Sequence, residues 1–293
     1  QNTKTTGKAS VSGFEYASEE LKNPVVINAA AVTFNPNTVT LDSFKGKTGS
    51  TDFDAKGTLT NLLGFMFNDE NVEGNFTLTS NTFALNDFMM EETAEGETGE
   101  TQTPTSGGEE RIKIPSFLDC TVEAAAGTVL YDNLTLKNVK GTLTIKDETA
   151  TVKNLTSDLF GGTLGLTGSV STKEAASTFD MDLGMSNFGI SESFAALEMF
   201  QALAPLANAL QGKLNSTVKI SGNLKDDFTP NLATISGNLL AELLSTKVTT
   251  EKAPLLSALD SKLNFLDTKD INLNDLKTAL SFDNGKVSVK PFT

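Results

Sequence analysis

The sequence contains no histidine, no tryptophan and a single cysteine, Cys120. Without histidine the chain lacks the commonest general base and the commonest metal ligand, which excludes Ser-His-Asp and Cys-His catalysis. One cysteine can form neither an intrachain disulfide nor a cysteine-based zinc site. We interpret Cys120 as a small strand residue rather than a reactive thiol. These absences favour a protein that is not an enzyme and has no cofactor or metal site.

Positive charge and long apolar runs are also scarce. The 293 residues include 23 Lys and Arg against 37 Asp and Glu, a formal charge of −14. This balance argues against binding to nucleic acid and against electrostatic docking on an anionic membrane surface. No run of about 18 apolar residues is present, so we predict no membrane-spanning helix in this chain. The chain opens with Gln1 and a polar stretch, and we expect any membrane anchor to lie outside it.

Alternation of apolar and polar residues dominates what is present. It is clearest in four runs: Val139–Ile145, Leu164–Val170, Phe179–Met185 and Val218–Leu224. Because side chains alternate across a strand, each run has one apolar and one polar face, as in antiparallel strands that share an apolar surface. Turn residues separate the runs, at Asn35–Asn37, Lys146–Thr149, Phe160–Gly162 and Asp283–Gly285. The pattern predicts a long meander.

Glycine recurs inside these runs, on the same face as the apolar neighbours. The positions are Gly57, Gly74, Gly141, Gly168, Gly222 and Gly237. Glycine within a strand marks either a bend or a close approach by another group; we favour curvature of the sheet over direct ligand contact. The predicted fold class is mainly β, a long curved antiparallel sheet, either an open groove or a partly closed barrel. One or two short helices would pack at its end.

A few segments lack the alternation that predicts strands. Residues 191–211 predict a helix with Ser191 or Ser193 as N-cap and a kink at Pro205, and Pro254 to Leu263 is a shorter candidate. Packing onto the end of the sheet is the favoured role of both, ahead of a plug over an apolar groove. Residues 90–111 are rich in Glu, Thr and Gly and predict a mobile acidic loop rather than a metal site. Residues 1–24 predict a flexible segment, and 25–293 a single β-groove domain truncated at both ends.

Short apolar motifs follow one another in a distinctive order along the chain. They include Phe44-Lys-Gly46, Gly57-Thr-Leu59, Val139-Lys-Gly141, Phe160-Gly-Gly162, Leu166-Thr-Gly168, the Phe194–Leu210 stretch with Pro205, Gly212-Lys-Leu214, Ile220-Ser-Gly222, Leu273-Asn-Asp275, Asp283-Asn-Gly285 and Val289-Lys-Pro291. In this order the motifs resemble the C-terminal region of AsmA-like proteins. The resemblance covers about Val25 to Phe292 of this chain. The frequent Asn, Thr, Lys and Phe suggest a Bacteroidota-like source.

The resemblance implies a function in the bacterial envelope. AsmA-like proteins are anchored in the inner membrane, extend into the periplasm and resemble bridge-like lipid transfer proteins. They are implicated in phospholipid movement toward the outer membrane, and the family has no catalytic residues to carry over. The expected partners are therefore phospholipid acyl chains and, through an anchor outside this chain, a membrane. The expected location is periplasmic.

The residues expected to line a lipid groove are the apolar members of the alternating runs. They are Phe76, Leu78, Leu134, Leu136, Leu143, Ile145, Leu164, Leu166, Val170, Met181, Leu183, Val218 and Ile220. The alternative function is a structural or adhesive surface β-protein with a closed core, which the same alternation fits. An enzyme would need a carboxylate pair such as Asp180 and Asp182, which we place on the solvated face of a strand.

Overall fold

The computed structural model describes residues 6–17, 22–68, 70–87, 113–196, 210–225, 228–248 and 277–290. These residues form fourteen strands: β1 Gly7–Tyr16, β2 Val25–Phe34, β3 Thr38–Thr48, β4 Thr51–Thr60, β5 Val72–Ala84, β6 Leu118–Tyr131, β7 Leu134–Lys146, β8 Thr149–Leu159, β9 Gly162–Ser171, β10 Thr178–Gly189, β11 Leu210–Asn223, β12 Ser236–Val248, β13 Lys277–Asp283 and β14 Lys286–Lys290. Helix α1 spans Leu62–Asn68 and helix α2 spans Ile190–Ala196, and single 3₁₀ turns occur at Leu85–Asp87 and Leu232–Thr234.

All fourteen strands belong to one sheet, in which the spatial order is the order of the sequence. The predicted fold class is confirmed: a mainly β chain forms a long curved sheet that is not closed into a barrel, with short helices at the strand ends. Every pair of neighbouring strands is antiparallel except β5 and β6. No helix among the described residues is long and apolar enough to cross a membrane.

Two-residue turns explain much of the register. Asp147-Glu148, Phe160-Gly161 and Asn284-Gly285 have positive φ at both positions. Such turns match the twist of the flanking strands and join them directly. Accordingly the residues that flank each turn are cross-strand partners, as with Lys146 and Thr149. The predicted turn positions at 146–149, 160–162 and 283–285 are confirmed.

The parallel pairing of β5 and β6 departs from the predicted antiparallel meander. Both strands start at the same end of the sheet, where Val72 is opposite Leu118, and both finish where Ala84 is opposite Leu130. The connection between them must therefore run from one end of the strands back to the other, which antiparallel neighbours do not require. Alternation along a strand carries no information about its direction, so the sequence pattern did not distinguish the two. The predicted acidic loop, 90–111, falls in this connection and outside the described residues.

The N-terminal prediction was wrong in part. Within the segment 1–24, which was expected to be flexible, Gly7–Tyr16 forms β1 and pairs with β2 along its length. Gly13, with φ of 65°, interrupts the alternation between Val11 and Phe14, so that no regular period marks the strand. β1 is an edge strand with mostly exposed residues.

The helix predicted for 191–211 is confirmed at its start and wrong at its end. Helix α2 covers Ile190–Ala196, and the hydroxyl of Ser193 donates to the carbonyl of Gly189. Leu210, Gln211 and Gly212 already belong to β11. Residues 197–209 with Pro205, and the second candidate helix at 254–263, lie outside the described residues. Helix α1 was not predicted.

Three strands contain a bulge at an asparagine with positive φ: Asn138 in β7, Asn154 in β8 and Asn187 in β10. A bulge adds one residue to one strand, bends that strand and increases the local twist. The bulges at these asparagines therefore contribute to the curvature that the sequence analysis assigned to the glycines.

The well-buried apolar side chains lie near strand ends rather than in a central core. Within the described residues they are Val72, Ala84, Cys120, Leu159, Phe188 and Ile190. At the α2 end of the sheet, for example, the rings of Phe160 and Phe188 meet edge to face at 5.7 Å. The middle of the sheet has no comparable core among the described residues.

Two carboxylates fasten β5 to its neighbours. Asp52 accepts hydrogen bonds from the backbone N–H groups of Asn81 and Thr82, continuing the contact where the regular β4–β5 ladder stops. Asp87, in the 3₁₀ turn after β5, accepts from Ser50 and Thr51 in the turn between β3 and β4. Partial burial opposes ionisation of both groups, but these hydrogen bonds outweigh it and lower the pKa of each carboxyl.

Candidate functional site

One row of cross-strand partners crosses thirteen strands of the sheet without a polar side chain. Because directly paired residues point to the same face, the register alone defines the row. From β1 to β13 it consists of Ala9, Val32, Leu41, Gly57, Phe76, Val122, Leu143, Val152, Gly168, Met181, Ile220, Gly237 and Phe282.

Two further rows lie on either side of the first and are equally apolar. One contains Val11, Ala30, Phe44, Ala55, Leu78, Ala124 and Gly141 and, past the bulge at Asn154, Leu155, Leu166, Leu183, Val218, Leu239 and Leu280. The other contains Gly7, Phe34, Val39, Leu59, Gly74, Cys120, Ile145, Ala150, Val170, Phe179 and Gly222. We call the three rows together the apolar face.

All thirteen residues that the sequence singled out lie on this side of the sheet. Ten belong to the three rows, and Leu164 lies next to Leu166 on the same side of β9. Leu134 and Leu136 precede the bulge at Asn138 in β7. Leu136 pairs with Val129, and Val129 lines a cavity together with Leu78, so both leucines lie on the apolar side of the sheet. The structure therefore brings the predicted set together on one surface; that this surface binds lipid stays a prediction.

The apolar face is extensive and only half buried. With strands about 4.8 Å apart and alternate residues about 7 Å apart, the three rows cover a band about 60 Å by 20 Å. Each of the thirteen predicted residues is half-buried rather than enclosed. Within the described residues no second sheet or helix packs over them: extensive contacts join neighbouring strands only, and α1 and α2 touch β5, β10 and β11 at their ends.

A cavity of about 160 Å³ opens on the apolar face across β5 to β8. It exists because small residues, Ala124, Ala126 and Gly141, stand between larger ones. The walls are carbon-rich, from Leu78, Phe83, Val129, Val139, Leu143, Val152 and Leu155. An apolar space of about 150 Å³ is large enough to hold a benzene molecule. The cavity can therefore take a short stretch of hydrocarbon.

Two serine hydroxyls are buried at this part of the sheet without a hydrogen-bond partner, those of Ser80 and Ser157. Ser80 lines the cavity, and Ser157 is 2% exposed. A buried hydroxyl without a partner is destabilising. Ser80, opposite Ala126, and Ser157, opposite Leu164, are thus polar residues that lie beside the three apolar rows.

Neighbouring residues pack closely against the glycines of the apolar face. A Cβ on Gly57 would meet the ring of Phe76, and one on Gly141 would lie 2.9 Å from the Cα of Leu155. Larger residues at these two positions would displace the neighbouring strand or side chain. The glycines therefore allow close packing within the sheet, and direct ligand contact is not needed to explain them.

The opposite face is polar and carries cross-strand ion pairs. Lys45 pairs with Asp54 at 2.9 Å, Lys277 with Glu242 at 3.1 Å, and Lys146 with Asp119. Asp182, half of the carboxylate pair that an enzyme would need, pairs with Lys219 at 2.7 Å and raises the pKa of that lysine. Asp180 and Asp182 thus lie on a solvated strand face, as predicted.

Cys120 is a buried strand residue in the third apolar row, opposite Gly74. Burial, together with the negative charge of Asp119, raises the pKa of its thiol. The thiol is therefore protonated at neutral pH, which makes it a poor nucleophile.

Sequence reasoning missed the part of the apolar face formed by β1 to β4. Val32, Leu41, Phe44 and Leu59 belong to it but were not among the predicted residues. The signal was present in β4, where Phe53, Ala55, Gly57 and Leu59 alternate with polar residues. In β2 and β3 the alternation is broken by register shifts, which hide it.

No protein-family model, curated protein or solved structure matches this chain.

Proposed function

We propose that this chain is a non-enzymatic lipid-binding module that holds phospholipid acyl chains against its apolar face. The observation that carries the proposal is the three adjacent rows of apolar residues, continuous across at least eleven strands and uncovered within the described residues. Soluble monomers rarely expose apolar patches larger than about 300–600 Å². The band on this sheet exceeds that size, and hydrocarbon is an occupant that matches its chemistry and its length.

The energetics suit transport rather than permanent storage. Each buried CH₂ group contributes about 0.8 kcal/mol, so a chain of some sixteen carbons gains on the order of 10 kcal/mol. The same chain gains a similar amount in a bilayer, which makes exchange between the two nearly neutral. A face without charged groups along its rows lets a chain move along it without a specific head-group site.

The resemblance to AsmA-like proteins supports a role in the bacterial envelope. On that basis the module is periplasmic, belongs to a protein anchored in the inner membrane by a segment outside this chain, and contributes to phospholipid supply for the outer membrane. The physical argument from the apolar face does not depend on this location.

The alternative is a structural or adhesive surface protein with a closed core. It requires a second layer of protein over the apolar face. The described residues provide none, and their enclosed apolar side chains lie near strand ends. We therefore favour the lipid-binding function.

The test is a pair of charge substitutions on one strand. Leu143→Asp puts a carboxylate in the first apolar row and at the cavity, whereas Thr144→Asp adds the same charge on the polar face, opposite Thr121 and Thr151. Native mass spectrometry and lipid extraction measure the phospholipid that co-purifies. Wild type and Thr144→Asp are expected to carry phospholipid, and Leu143→Asp at least tenfold less.

Circular dichroism establishes that each variant keeps its β structure. If Leu143→Asp does not fold, Leu166→Asp in the second row replaces it, because Leu166 lies two strands away. A lipid-free wild type, or a folded Leu143→Asp that carries as much lipid as Thr144→Asp, would refute the proposal.

A further inference from the structure

Helix α1 carries the most exposed phenylalanine among the described residues. Phe67 is 75% exposed and the adjacent Met66 is 63% exposed. Phe117, which precedes β6, is also exposed, and its ring lies 5.1 Å from that of Phe65 in α1. We call Met66, Phe67 and Phe117 the apolar tip. It projects from the end of the sheet where β4 meets β5 and β6 begins.

The apolar tip is held by a structured turn. The backbone N–H of Phe65 donates to the carbonyl of Asn61, and the side-chain amide of Asn61 donates to Glu70 and to the carbonyl of Asn71. Phe117 is fixed in turn by its carbonyl, which accepts from the N–H of Val72 at 2.8 Å. The exposed side chains are therefore presented by fixed backbone.

The tip lies at the end of the sheet nearest the third row of the apolar face. Leu59, Gly74 and Cys120 of the third row lie on the three strands that meet at the tip, within a few residues of it. A hydrocarbon chain that left a bilayer at the tip would meet this row first. The exposed apolar tip is thus at the end of the sheet nearest the surface on which we place acyl chains.

The composition and position of the tip indicate its partner. Residues 61–72 contain no lysine or arginine, and Glu70 lies beside the tip, so the α1 segment offers no electrostatic attraction to an anionic surface. Phe and Met are enriched at protein interfaces as well, and we favour a bilayer because the tip lies at the end of the strands that carry the third apolar row. The side chains of Met66, Phe67 and Phe117 match fluid hydrocarbon below uncharged or zwitterionic head groups.

We propose that the apolar tip inserts into the surface of a zwitterionic phospholipid bilayer and so brings the end of the apolar face to the membrane. The inference rests on the proposed function for its purpose, namely that the bilayer supplies or receives the acyl chain. Three inserted side chains give a weak and reversible contact, as a single short lipid anchor does.

The chain has no tryptophan, so a single one reports without background. Phe67→Trp is compared with Leu240→Trp, which puts the probe on the polar face of β12 at a site that is 58% exposed. On addition of phosphatidylcholine vesicles, the emission of Phe67→Trp is expected to shift to shorter wavelength, with no change on raising the salt concentration. Leu240→Trp is expected not to shift.

No shift of Phe67→Trp, or an equal shift of Leu240→Trp, would overturn the proposal. A shift that depends on protein concentration without vesicles would also overturn it, since the tip would then bind a second copy of the chain. The double variant Met66→Asp, Phe67→Asp should lose vesicle binding at least tenfold and keep its co-purifying lipid.

The two proposals fail separately. Lipid-loaded protein whose tip does not shift refutes the tip alone. A tip that shifts on a chain without co-purifying lipid refutes the lipid-binding function and leaves the membrane contact.

Discussion

Asp87 is expected to be among the most important polar residues for the stability of the sheet. One of its carboxylate oxygens accepts four hydrogen bonds, from the backbone N–H and the hydroxyl of Ser50 and of Thr51, at 2.8 to 3.0 Å. Asn23 donates to the other oxygen at 3.4 Å. These contacts join the end of β5 to the turn between β3 and β4 and to the segment before β2.

The magnitude follows from these contacts. A hydrogen bond to a charged group contributes about 1.5–3 kcal/mol, but here four donors share one oxygen of a partly exposed carboxylate. We therefore expect Asp87→Ala to lower the free energy of unfolding by about 2–4 kcal/mol. Asp180→Ala is the control, because Asp180 is exposed on the polar face, and a change of about 0.5 kcal/mol or less is expected.

The effect should depend on pH with a defined sign. The folded-state pKa of Asp87 is lowered below its ordinary value of 3.8, so its stabilisation is complete above the unfolded-state pKa and is lost as the pH falls through the folded-state pKa. Urea unfolding between pH 7 and pH 3 measures this. The difference between wild type and Asp87→Ala should be constant above about pH 5 and shrink below it. A difference under about 0.5 kcal/mol at pH 7, or one that grows in acid, would refute the reasoning.

Two further predictions concern buried groups on the apolar side of the sheet. Cys120 should resist alkylation in the native protein at pH 8 and react fully in urea, because it is buried and its thiol pKa is raised; labelling at equal rates in both states would contradict its placement. Ser157→Ala should raise stability by about 1 kcal/mol, because it removes a buried hydroxyl without a partner. The control, Ser216→Ala, removes a 2.8 Å hydrogen bond to the carbonyl of Leu240 and should lower stability. If both variants were less stable than wild type, Ser157 would have a partner.

The faces of the strands were predictable because period-2 alternation is a local property. Leu164, Leu166 and Val170 share a side of β9 whatever strand lies next to them. Their neighbours then fall on the same side through the two-residue turns, which the sequence also marks. This is why the whole predicted set lies on one surface, although no long-range pairing was known.

The bulges were harder to predict, although they leave a trace. In β7 the apolar residues Leu136 and Val139 are three apart, with Asn138 between them; Val152 and Leu155 repeat the pattern around Asn154. Asparagine tolerates positive φ better than most residues, so a three-residue step that contains one predicts a bulge. The direction of β6 leaves no such local trace, because it depends on long-range packing.

The single parallel pair has a consequence for how the sheet assembles. A hairpin closes residue by residue from its turn, so each new contact costs little chain entropy. Between β5 and β6 every pair is 46 residues apart, from Val72 with Leu118 to Ala84 with Leu130. This junction has no turn from which to start, and its first contact must close the whole intervening loop. The meanders β1–β5 and β6–β10 are thus two units of local contacts, and we expect each to form before β5 docks on β6.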